Sequence, residues 1–433
     1  MKALVLTGVK KFEIQNMPTP QIEPDEVLIN TAYAGVCGTD HDLYAGRPGS
    51  AAAVPPIVLG HENSGVVAAV GSEVTNVKVG DRVAVDPNIY CGQCEFCLTQ
   101  RPELCDHLSA VGVTRDGGLA EQFTAPAAVV YKLPDNVSLR DAAAIEPVSC
   151  AVHGLDLLKL HPYQKALVIG DGFMGQIFAQ LLQAYGVHQV DLAGIFDEKL
   201  QRNKELFGVT ETYNTTHEQI PEDSYDVIVE AVGLPATQAQ AVAAAKKGAQ
   251  VLMFGVGPQE AHFEMNTYDI YKKQLTIQGS FINPLTFRDA ISLVSAGKMN
   301  IGGLISHELE LEQVQANHGV WPVRGVWRLV RRRACRNVRC SQGHDVRRML
   351  VDRRSPAVPG CGDSQPYIPA DSRAVCDARH RLPTVHLQLR SVDGAIHFAV
   401  APRIGHRILL DLLFSRNRCV RSISAKLHHA VGR

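Results

Sequence analysis

The chain runs to 433 residues with a formal net charge of -1, 45% hydrophobic and 20% charged residues, and eleven Cys. That length exceeds one core of ~100–200 residues, so at least two domains are expected, and the composition excludes a collagen, a disulfide-dense miniprotein or a wholly disordered chain. No apolar run approaches the ~18 residues of a membrane span, and the start, Met1-Lys2-Ala3-Leu4-Val5-Leu6-Thr7, lacks a signal peptide's apolar stretch. A cytoplasmic protein is expected, with cysteines serving as ligands or thiols before disulfides.

The first 150 residues read as short strands punctuated by Gly and Pro, with β-rich runs at 66–71 and 81–85. This predicts an irregular, mostly β domain. Three dispersed segments within it carry metal-ligand side chains: Gly35-Val36-Cys37-Gly38-Thr39-Asp40, Gly60-His61-Glu62 and Ile145-Glu146-Pro147. Singly they read as a buried thiol, a surface His-Glu pair and a helix-start carboxylate. Together they offer the three N, O or S ligands and open position of a catalytic zinc, with Asp40 placed to orient the His61 imidazole.

Cys91, Cys94, Cys97 and Cys105 form C-x2-C-x2-C-x7-C in a polar, turn-rich segment. Four thiolates so closely spaced suit a closed tetrahedral zinc that braces a loop; an iron–sulfur cluster would use much the same ligands.

From about Lys165 the pattern changes. Lys165–Ile169 is a short apolar strand, and Phe173, Ile177, Phe178, Leu181, Leu182 and Tyr185 then share one helical face. Further strands are predicted at 225–231, 250–255 and 274–279, with helices at 197–207, 237–247 and 286–299 and a strand with a helix start at 304–315. Alternating strands and helices imply right-handed crossovers and a doubly wound parallel sheet.

Between the first strand and helix lies Gly170-Asp171-Gly172-Phe173-Met174-Gly175, a G-x-G-x-x-G. Gly170 permits the turn, Gly172 lets the backbone approach a pyrophosphate, and Gly175 lets helix and strand pack closely. The acid that holds the ribose of NAD is expected about 20 positions on. Asp197 lies 22 positions beyond Gly175 but also reads as a helix cap. With the strand ending at Gly194 the acidic position is empty, and Lys199 and Arg202 offer positive charge to a 2′-phosphate. NAD and NADP both stay open.

The run Gly60-His61-Glu62-x2-Gly65-x5-Gly71-x2-Val74 resembles the signature of the zinc-containing medium-chain alcohol dehydrogenases. The four-cysteine loop and the glycine turn follow in that family's order, and the resemblance covers about residues 1–316. Glu146-Pro147 looks like its polyol, sorbitol-type branch. The resemblance implies a GroES-like catalytic domain from 1–154 and 282–316 and a Rossmann domain over 155–281. It implies a catalytic zinc on Cys37, His61 and Glu62, with Glu146 as a direct or water-bridged ligand, and a structural zinc on the four cysteines. Gly170, Gly172, Phe173, Met174, Gly175, Gly194 and Lys199 would line the NAD or NADP site. Thr39 matches the hydroxyl that begins a proton relay. The implied reaction converts a secondary alcohol and NAD(P) to a ketone, in a homo-oligomer. A polyol or sugar alcohol, with or without phosphate, ranks above a threonine-type amino alcohol. Two departures stand out: Asp42 sits where relatives often carry a relay His, with His41 one position earlier, and Gly194 takes their acidic ribose position.

The near-zero charge hides a split. After residue 320 there are 21 Arg and one Lys against seven Asp and no Glu, a net of +15; the preceding residues carry -16. The tail also holds five Cys and seven His without zinc-finger spacing. An Arg-rich arm could neutralise the phosphates of a nucleic acid, but the abrupt loss of Glu and Lys reads instead as out-of-frame translation from near residue 317. Residues 317–433 are therefore expected to be atypical, disordered or out of frame, yielding in the extreme an inactive product. Nucleic acid and membrane are not expected partners. The family's closing helix and strand would be missing, leaving apolar surface at 304–314 uncovered.

Overall fold

The computed structural model describes residues 1–316 and 327–331, together with the strands Leu387–Val392, Ala395–Val400 and Leu409–Asp411. The chain divides into a unit spanning Met1–Arg339 and a second spanning Cys340–Arg433. In the second, the three described strands form an antiparallel sheet in chain order. The frame break near residue 317 and the five tail cysteines fall outside the described residues.

The first unit holds the predicted β-rich and α/β parts. A seven-stranded sheet is centred on Glu26–Val36, which pairs antiparallel with Glu62–Val70 on one side. Arg82–Val85 and Val130–Lys132 continue outward from there. Val27, Ile29, Val67, Val83, Val85 and Phe123 bury the inner face of this sheet. The register pairs Gly35 with Glu62, so the end of one strand lies beside the start of the other. That pairing unites two metal-ligand segments that are remote in sequence.

The second part is a six-stranded parallel sheet. Lys165–Ile169, Gln189–Gly194 and Thr212–Asn214 extend one way, and Tyr225–Glu230, Ala245–Met253 and Thr276–Gly279 the other. Counting strands within this sheet, the order is 3-2-1-4-5-6, whose switch point lies between the first and fourth. Alternate residues of the first strand enter different cores. Ala166 and Val168 pack with Ile177, Phe178, Leu181 and Leu182, while Leu167 and Ile169 join Ile228, Ala241 and Val251. Each fully buried aliphatic or aromatic side chain contributes about 2 kcal/mol to holding helices on both faces.

Two boundaries differ from those expected. The helix predicted at 237–247 is Pro235–Ala244, and the next strand starts at Ala245 rather than 250. Gly248, at φ +79°, and a register shift between Tyr225 and Val227 let the strand begin early through an irregular step. The helix predicted at 286–299 is Phe287–Ser295, ended before Gly297 at φ +67°.

The larger difference lies beyond residue 316. Trp327–Arg331, within the stretch expected to be disordered or out of frame, forms a strand. It runs antiparallel to Glu26–Val36, pairing Arg328 with Val36, and parallel to Ile305–Glu310. Val330 is buried among Leu6, Ala34 and Val314, and Arg331 donates to Glu310 at 3.0 Å. Leu304 and Val314 are likewise buried, so the apolar surface at 304–314 is covered rather than open. The composition break masked this strand because five residues suffice once an open sheet edge waits beside them. Changing Val330 to Asp should cost about 3 kcal/mol by burying an unpaired carboxylate. A urea unfolding midpoint equal to the parent's would show the strand dispensable.

Candidate active site

Cys37 follows the strand Glu26–Val36 and caps the helix Gly38–Tyr44. His61 immediately precedes, and Glu62 opens, the neighbouring strand Glu62–Val70. Donor atoms of Cys37, His61 and Glu62 all lie within 4.8 Å of one another. This suits a zinc bound at ~2.0–2.3 Å from sulfur, nitrogen and oxygen. Asp40 is fully buried; its Oδ2 accepts from the Cys37 N–H at 2.9 Å and its Oδ1 faces His61 Nδ1 at 3.4 Å. The contact with His61 is not a hydrogen bond, and both atoms lack other partners. A small rotation of the imidazole would close it and leave Nε2 for a metal. Burial and the Glu62 charge push the Cys37 thiol up. For His61 burial opposes the charged ring, but Asp40 and Cys37 outweigh it and hold its pKa well above the usual value. A buried acid, thiol and imidazole with few partners is what a cation would resolve.

Glu146 enters from the first turn of the helix Ile145–Asp156 and lies outside that 4.8 Å group. Its carboxyl is buried, which raises its pKa, while the charge of His61 opposes the rise. The Cys150 thiol donates to Glu146 Oε1 at 3.2 Å. Thr39 stands half-buried on the same first turn as Asp40. Asp42, at the expected relay position, is engaged by the Arg47 guanidinium and lies 3.5 Å from His41 Nδ1.

Behind Glu146 lies a buried polar cluster that the sequence did not reveal. Asn283 donates to Asp86 Oδ1 at 3.2 Å and to Ser149 Oγ at 2.7 Å, and Ser149 Oγ donates to the Glu146 carbonyl at 2.6 Å. Burial lifts Asp86 to about 7. These residues join the β-rich part, the Glu146 helix and the segment after the parallel sheet, which are too far apart in sequence for any spacing rule.

The four cysteines gather in a separate loop. Cys94 precedes a short helix, Glu95–Leu98, and Cys105 closes a 3-10 turn, Pro102–Leu104. Cys91 and Cys97 sulfurs are 4.0 Å apart. Tetrahedral Zn–S bonds of ~2.3 Å would set such sulfurs ~3.8 Å apart, so the cluster fits the ion. Backbone N–H groups of Cys91 and His107 donate to Cys105 Sγ, and that of Cys94 to Cys91 Sγ, each at 3.4 Å. N–H donors from Cys97 and Asp106 hold Cys94 down at about 6, while desolvation pushes Cys97 up to about 12.

At the switch point of the parallel sheet, Gly170 adopts φ +128°. A Cβ on Gly175 would lie 1.8 Å from the Gly170 carbonyl oxygen, so the helix sits directly on the turn. Gly172 caps the helix Phe173–Ala184, whose first N–H groups have no side-chain cap and face the turn. Phe173 is buried and Met174 packs on the same core. Gly194 ends the second strand, as expected. Asp197 is the first helical residue, after the N-cap Phe196, and makes no cap bond; its Oδ1 accepts from the Asn214 side-chain amide at 2.6 Å. Arg202 donates to the Gly303 carbonyl, so its guanidinium is engaged within the protein. Lys199 Nζ lies 4.5 Å over the Phe196 ring, buried without a hydrogen-bond partner.

Comparison with known proteins agrees with this arrangement. Residues 23–135 match the alcohol dehydrogenase GroES-like domain, and residues 174–296 match the zinc-binding dehydrogenase domain. D-arabinitol dehydrogenase 1 of Uromyces fabae is 33% identical over 325 residues, covering 73% of this chain and 92% of that protein. Sorbitol dehydrogenase of Bacillus subtilis strain 168 is 31% identical with the same coverage. Among solved structures, a zinc-binding dehydrogenase of Sinorhizobium meliloti 1021 bound to NADP superposes with a TM-score of 0.73 at 32% identity, covering 76% of this chain and 99% of that one. An alcohol dehydrogenase of Escherichia coli CFT073 in complex with NADH gives a TM-score of 0.71 at 29% identity over 77% and 99%. The chain belongs to the zinc-binding alcohol dehydrogenase family. It is an NAD(P)-dependent oxidoreductase with a GroES-like and a Rossmann part.

Proposed function

We propose that the protein oxidises a secondary hydroxyl of a polyol or sugar alcohol to a ketone, reversibly, at the centre made by Cys37, His61, Glu62 and Glu146. The convergence of a thiol, an imidazole and a carboxylate within 4.8 Å carries this reading. The relatives named for arabinitol and sorbitol support the substrate class. Zinc on Cys37, His61 and Glu62 would supply a Lewis acid that acidifies the alcohol, and the nicotinamide would supply the hydride acceptor. Asp40 Oδ1, 3.4 Å from His61 Nδ1, stands where it would orient the imidazole once the ring turns to a metal, and the buried Glu146 carboxyl supplies a polar wall facing the same centre. The Thr39 hydroxyl accepts the proton of the substrate hydroxyl and passes it outward, toward half-exposed His41 and Asp42. The glycine turn and the open N-terminus of the helix Phe173–Ala184 hold the cofactor's pyrophosphate. The four-cysteine loop binds a second zinc that braces structure only.

No helix among the described residues is long and apolar enough to cross a membrane, and the six described cysteines form no disulfide. Both suit the cytoplasm. The exposed Tyr268 and Tyr271, on the helix Thr267–Lys273 beside the edge strand Thr276–Gly279, offer a surface for a homo-oligomer.

Absorbance of NADH and NADPH across a panel of pentitols, hexitols and their phosphates, with metal analysis of the same sample, tests the function. Turnover of at least one polyol with two zinc ions per chain is expected. A fully zinc-loaded, folded protein that turns over none of them would overturn the substrate class.

A further inference from the structure

The acidic position at the end of the second strand is occupied by Gly194, yet the space above it already contains a carboxylate. A Cβ placed on Gly194 would lie 2.5 Å from both Asp171 Cβ and Asp171 Oδ2. Asp171 is the first variable residue of the glycine turn and is buried. Its Oδ2 accepts from the N–H groups of Ile195 and Phe196, each at 2.9 Å. The strand end must therefore be glycine: any side chain there would collide with Asp171.

We infer that Asp171 supplies, from the glycine turn, the carboxylate that the strand end lacks, and that it makes the dinucleotide site select NAD over NADP. The inference rests on the dehydrogenase reading and adds its cofactor. Three observations carry it. The two N–H donors pin Oδ2 in place, and no hydrogen bond occupies Oδ1 among the described residues, so it can accept a ribose hydroxyl. Those same N–H groups, which could otherwise bind a 2′-phosphate, are already taken. Arg202, the strongest phosphate ligand nearby in sequence, is turned to the Gly303 carbonyl. The remaining cation, Lys199, has its Nζ buried without a hydrogen-bond partner beside Phe196, whose N–H bonds Asp171. With that amine packed over the Phe196 ring and out of solvent, neither nearby cation is presented to a 2′-phosphate. A dianionic 2′-phosphate would meet the Asp171 charge a few ångströms away in a partly buried site, where repulsion is weakly screened.

Equilibrium titration of the zinc-loaded full chain with NADH and with NADPH, by calorimetry or nicotinamide fluorescence, reads the preference without any substrate. The wild type should bind NADH at least about tenfold more tightly than NADPH. Asp171→Asn preserves the shape and an acceptor for the two N–H groups but removes the charge. It should cut that ratio at least about fivefold, mostly by tightening NADPH. The exchange Asp171→Gly with Gly194→Asp moves the carboxylate to the strand end and should restore the preference that Asp171→Gly alone erodes. NADPH binding as tight as NADH in the wild type would overturn the inference, whatever becomes of the variants. So would an unchanged ratio in folded Asp171→Asn. Failure on every polyol with the NADH preference intact would sink the substrate reading and leave this one standing; polyol turnover equally served by both cofactors would do the reverse.

Discussion

Replacing His61 by Ala should lower kcat/KM for the best polyol by about 10³-fold or more and take zinc from two ions per chain towards one. The size follows from what the imidazole does. It is 6% exposed and lies against a thiol and a carboxylate that both need a cation nearby. Without the neutral nitrogen ligand, Cys37, Glu62 and the fully buried Asp40 would crowd together as acids, and protonating them costs the site its ion. A Lewis acid contributes several kcal/mol to the reaction, and each 1.36 kcal/mol is a factor of about ten. The four-cysteine zinc should survive, since none of its ligands touches His61. Full activity with both ions retained would remove His61 from the centre. Loss of both ions together would point to general unfolding instead.

The second large effect is expected at Gly175. A methyl there would sit 1.8 Å from the Gly170 carbonyl oxygen and 2.8 Å from its carbon. Neither atom can yield, because the Gly170 N–H is itself held by the Ala193 carbonyl at 2.8 Å. The helix Phe173–Ala184 would have to lift from the strand, opening the packing of Ile177 and Phe178. Gly175→Ala should cost about 3 kcal/mol or more as overpacking and weaken NADH at least about a hundredfold, since the helix N-terminus loses its aim. A urea midpoint together with an NADH titration checks both. A wild-type midpoint with unaltered NADH binding would show that this turn does not set the cofactor.

These two residues also differ in how they can be read. Gly175 is legible from local spacing, because strand, turn and helix are consecutive and each glycine has its own steric task. The four cysteines are legible for the same reason: their ligand loop is fifteen residues long. Cys37 and His61 are not, since nothing in their separation says they meet. Only the pairing of Gly35 with Glu62 in the folded sheet brings them together, and the resemblance to a known signature stood in for that register. Asp171 escaped because a variable position in a motif carries no expectation. The signal available was the coincidence of an acid within the turn and a glycine where an acid was due. The strand Trp327–Arg331 escaped because composition describes a hundred residues at once, whereas five consecutive residues with Val330 buried can satisfy one open edge.

Asp40 has a wider consequence. One of its oxygens closes the first turn of the helix Gly38–Tyr44 and the other addresses the His61 ring. Local order in that helix and occupancy of the ligand centre are therefore thermodynamically linked through a single carboxylate. Whatever fills the centre also tightens the turn that carries Thr39, so readiness to move the substrate's proton would arrive together with the ion rather than beforehand.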